Sequence, residues 1–88
     1  MPNEGRDRCI EFGRRLRELR RKRGIAQERL AQMAGLDRNY VTEAERGKAN
    51  PTLETIGGLA DALGVDDVAL ISDDGLAVAL QKAQLTNP

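Results

Sequence analysis

Two short amphipathic segments joined at a glycine constrain the fold of this chain more than any other feature. Apolar residues recur at helical spacing in both segments: Leu30, Ala31, Met33 and Ala34 before the glycine, and Leu36, Val41 and Ala44 after it. Gly35 can adopt the positive φ that a sharp turn between two helices requires. Asp37 then supplies a carboxylate that favours the start of the next helix. The segments therefore predict two helices, each with one buried face, that meet at a tight turn.

The length of the chain allows one domain with a small hydrophobic core. It has 88 residues, including one Phe and one Tyr, so aliphatic side chains must fill most of that core. Apolar periodicity predicts an all-α domain over residues 9–72, with helices at about 9–22, 27–34, 38–45, 53–63 and 67–71. A last amphipathic helix is expected after Gly75, to about Leu85, and residues 73–88 are a candidate dimerisation element. Residues 1–8 are polar and contain Pro2 and Gly5, which predicts a flexible arm.

Two adjacent glycines, Gly57 and Gly58, fall inside the fourth predicted helix. Relative to alanines they cost the helix roughly 1–2 kcal/mol. Two interpretations are open at this point. The pair is either a local weakness of the helix or a place where another backbone approaches closely, with a second copy of the chain as one candidate.

The residue inventory excludes several classes of function. The chain has no His and a single cysteine, Cys9, which rules out the common zinc sites and the Ser-His-Asp and Cys-His arrangements of hydrolases. We therefore expect no enzymatic activity and no metal or other cofactor, and the short chain leaves no room for a ligand domain, so no small-molecule ligand is expected either. A single cysteine suits a reducing compartment, no apolar run approaches the roughly 20 residues of a membrane span, and no signal-peptide core is present. These features predict a cytoplasmic protein without a membrane partner.

The formal net charge of zero conceals an uneven distribution of charge. Residues 1–50 hold 13 Lys and Arg against 8 Asp and Glu, a net of +5, whereas residues 51–88 hold 1 against 6, a net of −5. An interface with a polyanion needs a local excess of positive charge rather than a global one. The N-terminal half can therefore face phosphates while the acidic half points away or meets a partner.

The outward face of the second helix of the pair carries side chains that can read DNA. It holds Arg38, Asn39, Thr42 and Glu43, and a helix of this size fits the major groove of B-DNA. Arg38 suits guanine O6 and N7, or a phosphate, and Asn39 suits adenine N6 and N7. Thr42 can offer its methyl group to thymine or its hydroxyl to a base. Glu43 can accept a hydrogen bond from cytosine N4 or pair with Arg46, three residues on.

Seven segments in a fixed order carry a family resemblance over residues 12–71. They are FGRRLRELR (12–20), RGIAQ (23–27), LA (30–31), GLDRNYV (35–41), ERGK (45–48), NPTL (50–53) and LADALG (59–64). Together they resemble the Xre/Cro-type, lambda repressor-like helix-turn-helix family, and residues 36–41 look most like its restriction–modification controller proteins. The resemblance implies a compact five-helix DNA-binding domain, here followed by an additional short C-terminal helix.

The resemblance also implies roles for individual residues. In the family the second helix of the pair lies in the major groove, which places the four outward residues named above at base edges. Gln27 resembles the glutamine that bonds a phosphate from the start of helix 2. Ala26 departs from the family, which usually has a capping Ser or Thr there, a loss of roughly 1 kcal/mol. Arg20 and Glu45 resemble a buried ion pair between helix 1 and the end of helix 3.

Three more residues are candidates for phosphate contacts. They are Tyr40, Arg46 and Lys48, because the chain that follows the second helix of the pair passes the DNA backbone. Tyr40 could instead fill part of the core, and Lys48 could be an ordinary loop lysine.

The function expected from these features is sequence-specific binding of double-stranded DNA by a transcription regulator. We expect a homodimer on a pseudo-palindromic operator, in the manner of a restriction–modification controller or a phage-type repressor. An alternative is an antitoxin-like or adaptor protein whose main role is to bind another protein through the acidic half.

Overall fold

The computed structural model describes the backbone of residues 4–86 and the side chains of residues 7–82. Within this part of the chain there are six α-helices and no strand. They are α1 (Glu4–Lys22), α2 (Gln27–Ala34), α3 (Arg38–Glu45), α4 (Leu53–Leu63), α5 (Val68–Ile71) and α6 (Asp73–Thr86). The predicted all-α class, five helices followed by one more, is confirmed. None of the described helices is both long enough and apolar enough to cross a membrane.

The turn between α2 and α3 has the predicted geometry. Gly35 ends α2 with φ 70° and ψ 31°, in the left-handed region. The amide of Leu36 donates to the carbonyl of Ala31 over 2.8 Å, which closes the turn. A carboxylate oxygen of Asp37 then accepts from the amide of Asn39 over 2.8 Å and caps α3. Ala26, in contrast, gives α2 no side-chain cap.

The core contains residues from all six helices. Its largest fully buried side chains are aliphatic: Leu16 on α1, Leu30 on α2, Val41 on α3, Leu59 and Leu63 on α4, and Leu70 on α5. From α6, Leu76 is buried in the same cluster, and Ala79 and Leu80 pack against it. The apolar face of the last helix therefore packs on its own domain.

Two helix starts differ from the sequence prediction. α1 begins at Glu4 rather than near Cys9, so residues 4–8 are helical and not an arm; residues 1–3 of the predicted arm lie outside the described residues. Acidic Glu4 and Asp7 favour a helix N-terminus. α6 begins at Asp73 rather than after Gly75, because the Ser72 hydroxyl accepts from the Gly75 amide over 3.0 Å. The glycine lies inside the first turn instead of ending a loop.

An arginine clamp holds α5 and α6 against α1. Arg15 is 8% exposed, and its Nε donates to the carbonyl oxygen of Leu70 over 2.9 Å. Its Nη1 donates to Asp73 Oδ1 over 2.9 Å, and Arg14 donates to the same oxygen. The guanidinium groups of Arg15 and Arg14 hold the pKa of Asp73 below its usual value. Arg14 and Arg15, two of the seven Arg and Lys residues at positions 14–23, are thus used inside the molecule.

The two glycines of α4 have room around them in the described structure. A Cβ built on Gly58 would lie 3.6 Å from the carbonyl oxygen of Ala34, and one on Gly57 would lie 3.9 Å from Asp67 Oδ2. Both distances are ordinary van der Waals contacts. No backbone of the described chain approaches closely enough to require glycine at either position.

Gly58→Ala is therefore expected to raise the free energy of unfolding by about 0.5–1 kcal/mol, because alanine loses less backbone entropy in a helix. Thermal and urea unfolding of the variant would measure the gain, with Gly57→Ala as a second example of the same effect. A lower melting temperature for Gly58→Ala would contradict the prediction.

Candidate nucleic-acid interface

The outer face of α3 carries the predicted reading residues, and its inner face is buried. Val41 and Ala44 are fully buried in the core. Arg38 and Asn39 are exposed at the N-terminal end of the helix, and Thr42 follows Arg38 by one turn on the same face, partly exposed. The helix therefore presents its polar side chains outward, starting at its capped N-terminus.

Arg38 is only loosely held by its surroundings. Its Nη1 lies 3.7 Å from Glu28 Oε2, and the two side chains are 70% and 76% exposed. Exposed pairs of this kind stabilise by roughly 0–1 kcal/mol, so the guanidinium can leave Glu28 for a stronger partner. Arg38 is thus free to reach a base edge or a phosphate.

A buried ion pair fixes α3 relative to α1. Arg20 Nε donates to Glu45 Oε2 over 2.6 Å, and Arg20 Nη2 donates to Glu45 Oε1 over 3.0 Å. The side chains are 12% and 4% exposed. Arg20 Nη1 also donates to the carbonyl of Ile25 over 2.8 Å, in the turn before α2. One guanidinium therefore joins α1, the α1–α2 turn and the end of α3.

Gln27 connects this ion pair to Thr42 on the outer face of α3. Its Nε2 donates to Glu45 Oε1 over 3.0 Å, and its Oε1 accepts from the Thr42 hydroxyl over 3.2 Å. The side chain, partly exposed at the start of α2, bridges the two helices of the pair. A carboxamide nitrogen carries two N–H groups, so the contact with Glu45 leaves one for another acceptor.

The other phosphate candidates differ in their surroundings. Tyr40 is half-buried and packs against the core, and burial raises the pKa of its phenol. Lys48 is exposed. Arg46 is exposed and its Nη1 lies 3.4 Å from Glu43 Oε1. Of the two interpretations of Glu43, the pairing with Arg46 is the one present in the protein alone.

Sequence reasoning missed the structural role of Arg15. Arg15 is one of the seven basic residues at positions 14–23, but it lies three positions after Phe12 and four before Leu19, on the apolar stripe of α1. That spacing was the available signal. Arg17, Arg21 and Lys22 of the same run are exposed. These three can add positive charge to the surface of α1.

Sequence reasoning also missed a close crossing of α1 and α3 at Gly13. A Cβ built on Gly13 would overlap the carbonyl oxygen of Ala44 and lie 3.1 Å from the carbonyl oxygen of Glu45. The last turn of α3 therefore rests directly on the backbone of α1. Only glycine allows this separation, which places α3 beside α1 near the Arg20–Glu45 pair.

The chain is similar to known proteins in both sequence and fold. The family model described as helix-turn-helix matches residues 16–70. The immunity repressor protein of Bacillus phage phi105 is 36% identical over 67 residues, which are 76% of this chain but only 46% of that repressor. Control protein C.BamHI of Bacillus amyloliquefaciens is 38% identical over 61 residues, covering 68% of this chain and 75% of its own length. The chain thus spans less than half of one relative and most of the other.

The fold is also similar to that of a solved structure. The restriction-modification controller protein C.AhdI from Aeromonas hydrophila superposes with a TM-score of 0.69 and 48% sequence identity. The match covers 70% of this chain and 94% of that protein.

Proposed function

The chain belongs to the helix-turn-helix family, and from that premise we propose that it regulates transcription as a homodimer bound to a pseudo-palindromic operator. It is a DNA-binding regulator and not an enzyme. α3 enters the major groove with its N-terminal end at the base edges. Arg38, Asn39, Thr42 and Glu43 read bases, and Gln27, Tyr40, Arg46 and Lys48 contact phosphates.

The observation that carries this proposal is the exposure of Arg38 and Asn39 on a helix that is otherwise held rigidly. The capped N-terminus of α3 projects these side chains outward, while Glu45 anchors its other end to Arg20. Base readout needs such a combination, because side chains must reach the groove from a scaffold that does not shift. Arg17, Arg21 and Lys22 add positive charge on α1.

Similarity to C.AhdI and C.BamHI favours a restriction–modification controller, and similarity to the phi105 immunity repressor favours a phage-type repressor. In either case a dimer makes operator occupancy depend steeply on the concentration of the regulator itself. The alternative of a protein whose main role is to bind another protein has less support, since Asp73 of the acidic half is engaged by Arg14 and Arg15.

Selection of bound sites from random DNA duplexes tests the proposal directly. We expect enrichment of two inverted half-sites whose centres are about 34 Å, or one helical turn, apart. Analytical ultracentrifugation with a selected duplex would give two chains per site. Failure to enrich any sequence, or a single half-site without a repeat, would contradict the proposed function.

Arg38→Ala is expected to remove discrimination at one base pair of each half-site, by about 1–3 kcal/mol. Binding to the selected operator and to its single-base variants at one fixed salt concentration measures this loss. Lys48→Ala is the matched control. It should weaken binding to all these duplexes equally, and it should lower the slope of log affinity against log salt concentration by about one, the value of one phosphate contact. The assignment of Arg38 is wrong if its variant behaves like the Lys48 variant.

A further inference from the structure

The orientation of the Gln27 amide follows from the chemistry of its neighbours. The Glu45 carboxylate is paired with Arg20 and can only accept hydrogen bonds. The atom of Gln27 that faces it over 3.0 Å must therefore be the donor, Nε2. The carbonyl oxygen of the same amide then faces Thr42.

This orientation determines what the Thr42 hydroxyl does. Gln27 Oε1 has no hydrogen to give, so Thr42 Oγ1 is the donor in their 3.2 Å contact. The only other contact of this hydroxyl among the described residues is the carbonyl oxygen of Arg38, over 3.4 Å, which is again an acceptor. Both contacts use the single hydroxyl hydrogen. The hydrogen stays inside the protein, so Thr42 has no donor left for the DNA and can offer only its methyl group and the lone pairs of its oxygen.

We propose that Thr42 is a specificity-determining residue that recognises thymine through its methyl group, with Gln27 as the positioning residue that turns the hydroxyl away from the DNA. The inference rests on the proposed function, in which α3 lies in the major groove. The C5-methyl group of thymine is the one apolar group that a base pair presents there, and a threonine methyl group is a suitable contact for it. The Arg20–Glu45 pair thereby determines, through Gln27, which face of Thr42 the duplex meets.

The alternative is a hydrogen bond between the Thr42 hydroxyl and a base, in which the hydroxyl either donates or accepts. A donor role would require the hydroxyl to leave both Gln27 and the Arg38 carbonyl, and would remove the hydrogen bond that the Gln27 carbonyl oxygen accepts from Thr42 among the described residues. Neither an acceptor role nor recognition by the methyl group rearranges the network, but only the acceptor role needs the hydroxyl oxygen. The two possibilities make opposite predictions for the variants Thr42→Val and Thr42→Ser.

The test replaces each thymine of the selected operator with deoxyuridine, which removes the C5-methyl group and keeps every hydrogen-bonding atom. For the unmodified protein we expect one position per half-site at which affinity falls about fourfold, the value of one buried methyl group, or about 15-fold when both half-sites are changed. Thr42→Ser removes the methyl group from both chains of the dimer, so it should bind the thymine operator about 15-fold more weakly, and uracil at that position should have no further effect on it. Thr42→Val keeps the methyl group and should retain the full sensitivity to uracil.

Several results would overturn the inference while leaving the proposed function intact. These are an operator at which no uracil substitution matters, a uracil effect that persists in Thr42→Ser, and a folded Thr42→Val that no longer distinguishes the operator from other duplexes. The uracil scan of the unmodified protein needs no variant to fold, and melting temperatures check the folding of both variants. If no operator can be selected at all, the proposed function fails, and this inference fails with it.

Discussion

Glu45→Ala is expected to lower the free energy of unfolding by about 3–5 kcal/mol, the usual cost of breaking a buried ion pair by removing one partner. The variant leaves the Arg20 guanidinium, 12% exposed, without its carboxylate, and it also removes the acceptor of Gln27 Nε2. For a single small domain this is a large share of the total stability. Urea unfolding and thermal melting measure the loss. DNA binding should fall along with it, because the end of α3 is no longer anchored.

Glu43→Ala is the matched control, since it removes the same functional group from the same helix. Glu43 pairs with the exposed Arg46 over 3.4 Å, so its loss should change stability by about 1 kcal/mol or less. Replacing Arg20 and Glu45 together with leucines should cost less than Glu45→Ala, because no lone buried charge remains. A melting temperature of Glu45→Ala equal to that of the unmodified protein would contradict the prediction.

Gly13→Ala is expected to destabilise the protein by about 1–3 kcal/mol, although alanine is the better helix former. The added Cβ would overlap the carbonyl oxygen of Ala44 and lie 3.2 Å from its carbonyl carbon. These are backbone atoms, so relief requires α1 and α3 to separate rather than one side chain to rotate. Urea unfolding measures the cost. Affinity for the operator should also decrease, since α3 would move relative to Gln27 and the Arg20–Glu45 pair.

The same substitution in α4 provides the comparison for Gly13. Gly58→Ala adds a Cβ at 3.6 Å from the nearest backbone oxygen and is expected to stabilise, so the two variants should change stability in opposite directions. Stability of Gly13→Ala equal to or above that of the unmodified protein would show that the helices can separate at no cost. The close crossing would then have no role in positioning α3.

The sequence predicted the helices and the turn at Gly35 because those features depend on local patterns. Apolar spacing, a glycine able to adopt positive φ and the Asp37 cap all act within a few residues, and the structure has each of them. The starts of α1 and α6 were less predictable. Glycines at positions 5 and 75 looked like breaks, yet both helices continue through them.

Contacts between segments that are distant in the sequence could not be predicted from the local spacing of residues. Arg15 reaches a carbonyl 55 positions away, and Gly13 meets the backbone of α3, so a basic run and a helical glycine acquire roles only in the packed molecule. In the candidate site, too, local contacts were predictable and contacts between helices were not. The pairing of Glu43 with Arg46 was one of the predicted alternatives, since those residues lie one turn apart. The bond between Gln27 and Thr42, which crosses from one helix to another, required the packed geometry.

The first turn of α6 closes one side of the core. Asp73 is bonded to two arginines of α1, and Gly75 and Leu76 are buried beside α5. A truncated chain ending at residue 72 would deprive Arg15 of its carboxylate and open the surroundings of Leu70 to water. A deletion at that boundary is therefore expected to destabilise the domain, since the first turn of α6 contributes to the core and to the contacts with α1.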